Sequence, residues 1–224
     1  MRTRSLANML QDVRQRTNQE NSTFVTDAEI TEYLNVELAE LWGRLVLNQG
    51  QPHFRSQTAI HVVANVALYA LPADFWTLQG VEATYGGITR PMVPFMPSEH
   101  AELASALKVE PFTLARYRIQ ANNIEFLPSN NAFDATVFYT PACPRLVNPS
   151  DLFDGFNGYE VAAIYGACAT VLAKEESDPS FYVGQRERIY QQIDRLSAHR
   201  DMANPERVQD VRDRRLAFPF GWIP

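Results

Sequence analysis

Cysteine is nearly absent from this 224-residue chain: there are two, Cys143 and Cys168, far apart and without metal-ligand spacing. That excludes a disulfide framework and a thiolate metal site, and it leaves two structural thiols in a chain with enough apolar residues for a core. No apolar run approaches the length of a membrane span. Met1 to Leu6 carries basic residues with no apolar stretch behind them. It does not read as a secretory signal, so the expectation is a protein made and kept inside a cell until assembly, with no membrane partner. Asn21-Ser-Thr23 fits a glycosylation acceptor, which without secretion is chance. Positive charge is also short: 20 basic residues face 26 acidic ones, net charge -6, pI about 5.3. Such a chain does not cling to nucleic acid as a whole, but it can line a passage through which DNA slides.

Catalytic patterns are missing too. There is no P-loop, dinucleotide fingerprint or nucleophile elbow. His53, His61, His100 and His199 lack a second ligand type at useful spacing, so neither a metal nor another cofactor is expected. Glu175, Glu176 and Asp178 form the densest acidic cluster. Adjacent helical residues point about 100° apart, so Glu175 and Glu176 do not face one glycosidic bond. A cell-wall glycosidase is therefore the least favoured alternative, and the chain is expected not to be an enzyme.

What is present is pattern. Hydrophobic residues make up 46% and charged residues 21%, which supports a sizeable core. Leu6, Met9, Leu10 and Val13 recur at helical spacing. Thr26-Asp-Ala-Glu29 is a capping box, followed by the stripe Ile30, Leu34, Leu38, Leu41 and Leu45. Asn48-Gln-Gly50 stops this second helix. From Ser56 the period turns to strands: Ile60 and Val62, then Val66 to Tyr69, then Val81 to Tyr85 ending at the hairpin signal Gly86-Gly87. Glu99 to Leu107 reads as a short helix capped by Ser98. Leu114 to Gln120, Ile124 to Leu127 and Ala135 to Tyr139 read as strands, the first two joined by a turn at Asn122-Asn123.

Helical spacing returns with Val161, Ile164, Tyr165, Cys168, Val171 and Leu172, in which Gly166 is the one poor helix former. Asp178-Pro179 caps a fourth helix that turns Tyr182, Ile189, Ile193 and Leu196 inward and leaves Arg186, Glu187, Arg188, Asp194 and Arg195 on a solvated face. The expected fold is mainly α with a β-rich insertion. Residues 1–50 and 150–202 form a four-helix bundle core, and 51–149 form a small β module between helices two and three. Residues 203–224 form an extended C-terminal arm. That arm holds Arg207, Arg212, Arg214 and Arg215, then Phe218, Phe220 and Trp222. Arginine and aromatics are typical interface anchors, so it reads as a docking arm; the alternative is an arm folded back on its own bundle.

Several segments in order carry a family resemblance: Tyr69-Ala-Leu-Pro-Ala-Asp-Phe75, Tyr117-Arg-Ile-Gln-Ala-Asn-Asn-Ile124 with Phe126-Leu-Pro128, Phe138-Tyr-Thr-Pro141 ahead of Pro144-Arg-Leu146, Gly158-Tyr-Glu160, and Lys174-Glu-Glu-Ser-Asp178. With the Thr26 capping box, the chain resembles the head-to-tail adaptor proteins of tailed bacteriophages, also called connector or head-completion proteins. It is similar in plan to podophage tail-tube gatekeeper proteins. The resemblance implies a homo-oligomeric ring of about twelve copies beneath the portal, at the head–tail junction of the virion and in the host cytoplasm during assembly. It implies an arm that grips the portal, an opposite end that receives the tail or a second connector protein, and double-stranded DNA passing through the lumen without specific binding during packaging and ejection. A tail-terminator or other tail-end ring protein is the closest alternative.

Overall fold

Ser5, Thr26 and Asp178 cap three of the helices, and small residues let the helices approach. In a computed structural model, which describes residues 3–49, 54–105, 115–130, 132–156 and 158–197, strand β1 (Thr3–Ser5) leads into helix α1 (Leu6–Arg16). Ser5 Oγ accepts from the Asn8 amide at 3.3 Å, and Leu6, Met9 and Val13 are buried. Helix α2 (Asp27–Gln49) begins with the expected reciprocal cap: the Glu29 amide donates to Thr26 Oγ1 at 3.3 Å, and the Thr26 amide donates to Glu29 Oε2 at 3.0 Å. Ile30, Leu34, Leu38, Leu41 and Leu45 are all fully buried.

After the β region come α4 (Glu160–Lys174) and α5 (Ser180–Ser197). Helix α4 is buried on more than one side. Ala162, Ala163, Ala167 and Cys168 join Ile164 and Val171 in the core, while Val161, Tyr165 and Leu172 from the expected stripe are only half-buried. Alanine and glycine keep its radius small enough for α2 and α5 to pack against it. From α5, Tyr190 and Ile193 enter the same core. Arg186 does not belong to the solvated face assigned to it; it points inward and pairs with Glu37 of α2.

The chain between α2 and α4 forms β2 (Ser56–Val62), β3 (Leu68–Ala70), β4 (Phe75–Tyr85), β5 (Ile88–Pro91), β6 (Val93–Pro94), a short helix α3 (His100–Ser105), β7 (Arg116–Gln120), β8 (Asn123–Leu127), β9 (Phe133–Pro141) and β10 (Leu152–Asp154). Two four-stranded sheets, β2-β9-β4-β5 and β3-β8-β7-β6, share one core. Val62, Val81, Ala83, Ala135 and Val137 from the first meet Tyr117, Ile124 and Phe126 from the second. Inward residues alternate with outward ones, as a half-buried sheet requires. The β4–β5 turn places Gly86 and Gly87 at φ 57° and 82°, the left-handed region that two-residue hairpins favour. The β7–β8 turn falls at Ala121 (φ 51°) and Asn122 rather than at Asn122-Asn123. Before α3, Glu99 Oε2 accepts from the Met96 amide at 2.9 Å, so Glu99 rather than Ser98 closes that turn.

The expectation of a mainly α protein on a four-helix bundle core is overturned. Among the described residues the fold is α+β, 41% helix and 30% strand, with three sheets and five helices. The β region is a two-sheet structure with a core of its own, and the helical layer is itself edged by a third sheet. There β1 pairs antiparallel with β10, Arg4 opposite Phe153. The sequence pattern marks strand β4 only from Val81; its first half escapes because two register shifts, between Phe75 and Thr77 and between Leu78 and Gly80, break the alternation that marks a strand.

Helices and sandwich meet around Trp42. Its ring lies 4.6 Å from Phe54 and 6.1 Å from Phe153, and its Nε1 donates to the Pro141 carbonyl at 3.1 Å. Nearby, Tyr139 Oη donates to Asp74 Oδ1 at 2.9 Å. Asn35 of α2 makes a two-way bond with the Leu146 backbone at 2.9 and 2.8 Å.

Candidate functional site

The acidic cluster is a helix end. Glu175 closes α4 and accepts from Gln19 Nε2, and Glu176 takes φ 57° in the turn. Asp178 caps α5, accepting from the Ser180 amide and hydroxyl at 2.9 and 2.8 Å; those bonds hold its carboxyl below the usual range. Each group is thus tied into local structure, and the arrangement does not place two carboxylates across a cleft. Among the histidines, His61 Nδ1 lies 2.7 Å from Asp134 Oδ1 and His100 Nε2 3.1 Å from Glu125 Oε1. His53 and His199 lie outside the described residues. Among the described residues no group of three or more histidine, cysteine, aspartate or glutamate side chains is placed to hold a metal ion, and no helix is long and apolar enough to cross a membrane. Cys168 is buried and Cys143 half-buried; burial pushes both thiols up to about 12, which disfavours the nucleophilic thiolate.

The expected docking residues Arg207, Arg212, Arg214, Arg215, Phe218, Phe220 and Trp222 lie outside the described residues. Two surfaces that the sequence did not single out stand out instead. At the end of the sandwich away from Trp42, the β2–β3 connection and the β4–β5 hairpin expose Val63, Val66, Tyr85 and Ile88. The register fixes them there: Val62 is opposite Phe133, and Thr84 opposite Asp134.

At the far end of the helices, the α1–α2 loop meets the α4–α5 turn. Tyr182 Oη donates to the Arg16 carbonyl at 2.6 Å, and Lys174 Nζ donates to Glu29 Oε1 at 2.6 Å while lying 5.1 Å from the Phe24 ring centroid. The bond to Glu29 raises the Lys174 pKa and lowers that of Glu29. Here Phe24 and Phe181 are 56% and 64% exposed, and Phe181, Tyr182 and Tyr165 stand in a row with Arg16 over the last ring.

A sequence signal for the sandwich end existed, since Gly86-Gly87 placed a hairpin tip beside Tyr85 and Ile88. The helical end had none, because Phe24 and Phe181 look like any loop or helix-start residue until the loop and turn are brought together. A family model described as SU10 adaptor protein matches residues 4–215. No curated protein matches the chain.

Proposed function

The chain belongs to the SU10 adaptor family, and we propose that it is the head-to-tail adaptor of a tailed bacteriophage, assembling as a ring beneath the portal. The family is one of phage adaptor proteins, structural parts of the virion rather than enzymes. In this reading about twelve copies close a heterologous interface that follows the portal's symmetry. The ring extends the DNA channel, and its free face receives the tail or a second connector protein. The C-terminal arm, with Arg207, Arg212, Arg214, Arg215, Phe218, Phe220 and Trp222, grips the portal. Repetition around the ring multiplies a modest contact per copy, so a single arm need not bind tightly. The acidic balance of the chain suits a lumen through which DNA moves without being held.

The observation that carries the reading beyond the family is the pair of exposed apolar ends, Phe24 with Phe181 and Tyr85 with Ile88. An adaptor must present two contact faces, whereas an enzyme needs one cleft. Co-sedimentation with portal rings from the same genome tests it. The full chain should sediment with the portal, and a chain ending at Ala203 should stay in the supernatant while keeping its circular dichroism. No binding by the full chain refutes portal docking, and normal binding by the truncated chain refutes the arm assignment.

A further inference from the structure

Helix α2 is apolar on two faces. One carries Leu34, Leu38 and Leu41 into the core. The opposite one presents Glu32, Val36, Ala39, Gly43 and Leu47, spaced three and four apart and so on one side of the helix. Val36 is 69% exposed and Leu47 82%. A helix packed on one side needs one apolar stripe, and a second stripe calls for a second neighbour. Gly43 points the same way. A Cβ on it would meet nothing within 4 Å, so the chain's own packing does not require a glycine in this helix interior, where it is a worse helix former than alanine. Close approach of another backbone does require one.

Helix α5 carries a face of opposite charge. At Gly184, too, an added Cβ would meet nothing within 4 Å. Arg188, Gln191 and Arg195 follow from it at spacings of four, three and four, and all are exposed. Neither arginine has an ion-pair partner among the described residues. Glu187 and Asp194 fall roughly 70–90° to one side of this stripe. On the α2 face, Glu32 bonds Arg145 through a single oxygen at 2.6 Å, with both side chains exposed. Such a pair is weak, and the second carboxylate oxygen remains able to accept. Glu40, at the border of the stripe, is paired with Arg44 at 3.4 Å.

Both faces lie on the flank of the body. Helix α2 runs from the helical end, where Phe24 precedes its cap, to the sandwich, where Trp42 meets Phe54. Helix α5 starts beside the same helical end, at Phe181. We propose that the outer face of α2 in one copy packs on the outer face of α5 in the next copy of this chain. This contact presupposes the ring of the adaptor reading and names its lateral interface. A second copy fits because the two faces are opposite in charge and each has an open glycine. Two different faces also make a heterologous contact, the kind that closes into a ring. Val36 to Leu47 covers about 17 Å of helix, a footprint well short of the roughly 800 Å² per partner of a stable pair. The free chain is then a monomer, and the contact holds where the portal lines copies up and each gains two neighbours.

Two full-length variants test it on portal rings from the same genome, with bound copies counted by native mass spectrometry. Glu32→Arg with Val36→Arg makes the α2 face basic, and Arg188→Glu with Arg195→Glu makes the α5 face acidic. All four side chains are exposed, so circular dichroism should be unchanged. Each variant alone sets like charges together and should need at least about tenfold more protein to fill the portal. An equal mixture should fill it as the wild type does, since every basic face then meets an acidic one. Gly43→Leu should raise the melting temperature of the free chain by roughly 2–4 °C and still weaken filling by a similar factor, so the test survives if a charge variant misfolds. Either charge variant filling the portal alone, no recovery in the mixture, or normal filling by Gly43→Leu overturns this contact, while wild-type binding keeps the adaptor reading. A wild-type chain that leaves the portal bare overturns both.

Discussion

Gly166→Ala should destabilise this protein although it improves helix propensity. In an exposed helix interior the change would gain about 1 kcal/mol. Gly166 instead faces Glu37: a Cβ there would overlap the Glu37 carboxylate and lie 2.7 Å from its Cγ. Glu37 is held in that position, because Arg186 Nη1 donates to both of its oxygens at 2.9 Å. Accommodating the methyl therefore means breaking that pair. Rupture of a buried pair costs about 3–5 kcal/mol; here the side chains are 22% and 11% exposed, and partial solvation lowers the cost to about 2–3 kcal/mol. The net loss is then about 1–2 kcal/mol, or a drop in melting temperature of roughly 2–8 °C for a chain of this size. Thermal unfolding of four proteins, wild type, Gly166→Ala, Glu37→Ala and the double variant, isolates the clash. Without the carboxylate the alanine has nothing to displace, so in the Glu37→Ala background it should be neutral or stabilising. An equal loss in both backgrounds, or a melting temperature raised by Gly166→Ala alone, would refute the reasoning.

Other outcomes follow from the same contacts. Trp42→Phe, which keeps an aromatic ring but removes the bond to the Pro141 carbonyl, should cost about 1 kcal/mol in urea denaturation, and Trp42→Ala about 3–5 kcal/mol. Glu29, Glu99, Asp151 and Asp178 are held below their ordinary values, mainly by Lys174 and by the amides of Met96, Val147 and Ser180 respectively. Their folded-state values lie below the unfolded ones, so their contribution is complete above about pH 4.5 and is lost as pH falls through the lowered values. The melting temperature should decline on acidification from there, and Glu29→Gln should flatten the decline. Phe181→Ser, at a side chain 64% exposed, should move stability by less than about 0.5 kcal/mol; if the helical end is a contact face it should also weaken co-sedimentation with a partner ring.

The parts of this fold legible in sequence are those governed by local rules. The Thr26–Glu29 box, the Asp178 cap, the α2 stripe and the Gly86-Gly87 turn each depend on residues a few positions apart, and each forms as its chemistry dictates. The errors share a different cause. The pattern assigns Arg186 to solvent because charge at a helix position normally means water; the partner 149 positions away draws it inward. Gly166 reads as a weak choice because the carboxylate packed against it belongs to another helix. The first half of β4 lost its period to two bulges, which turned a continuous sandwich into something that reads as a small appendage and a mainly α fold. Glu160 shows the same limit. In sequence it reads as a residue at the start of a helix; its burial is made by distant neighbours, with Gly155 against its carboxylate and the β1–β10 pairing bringing Thr3, Arg4 and α1 to the start of α4. Where a side chain is satisfied by neighbours in sequence, the sequence states its role. Where it is buried by distant ones, polarity alone points the wrong way, and the buried charges Glu37, Glu160 and Arg186 are the places where substitution tells most.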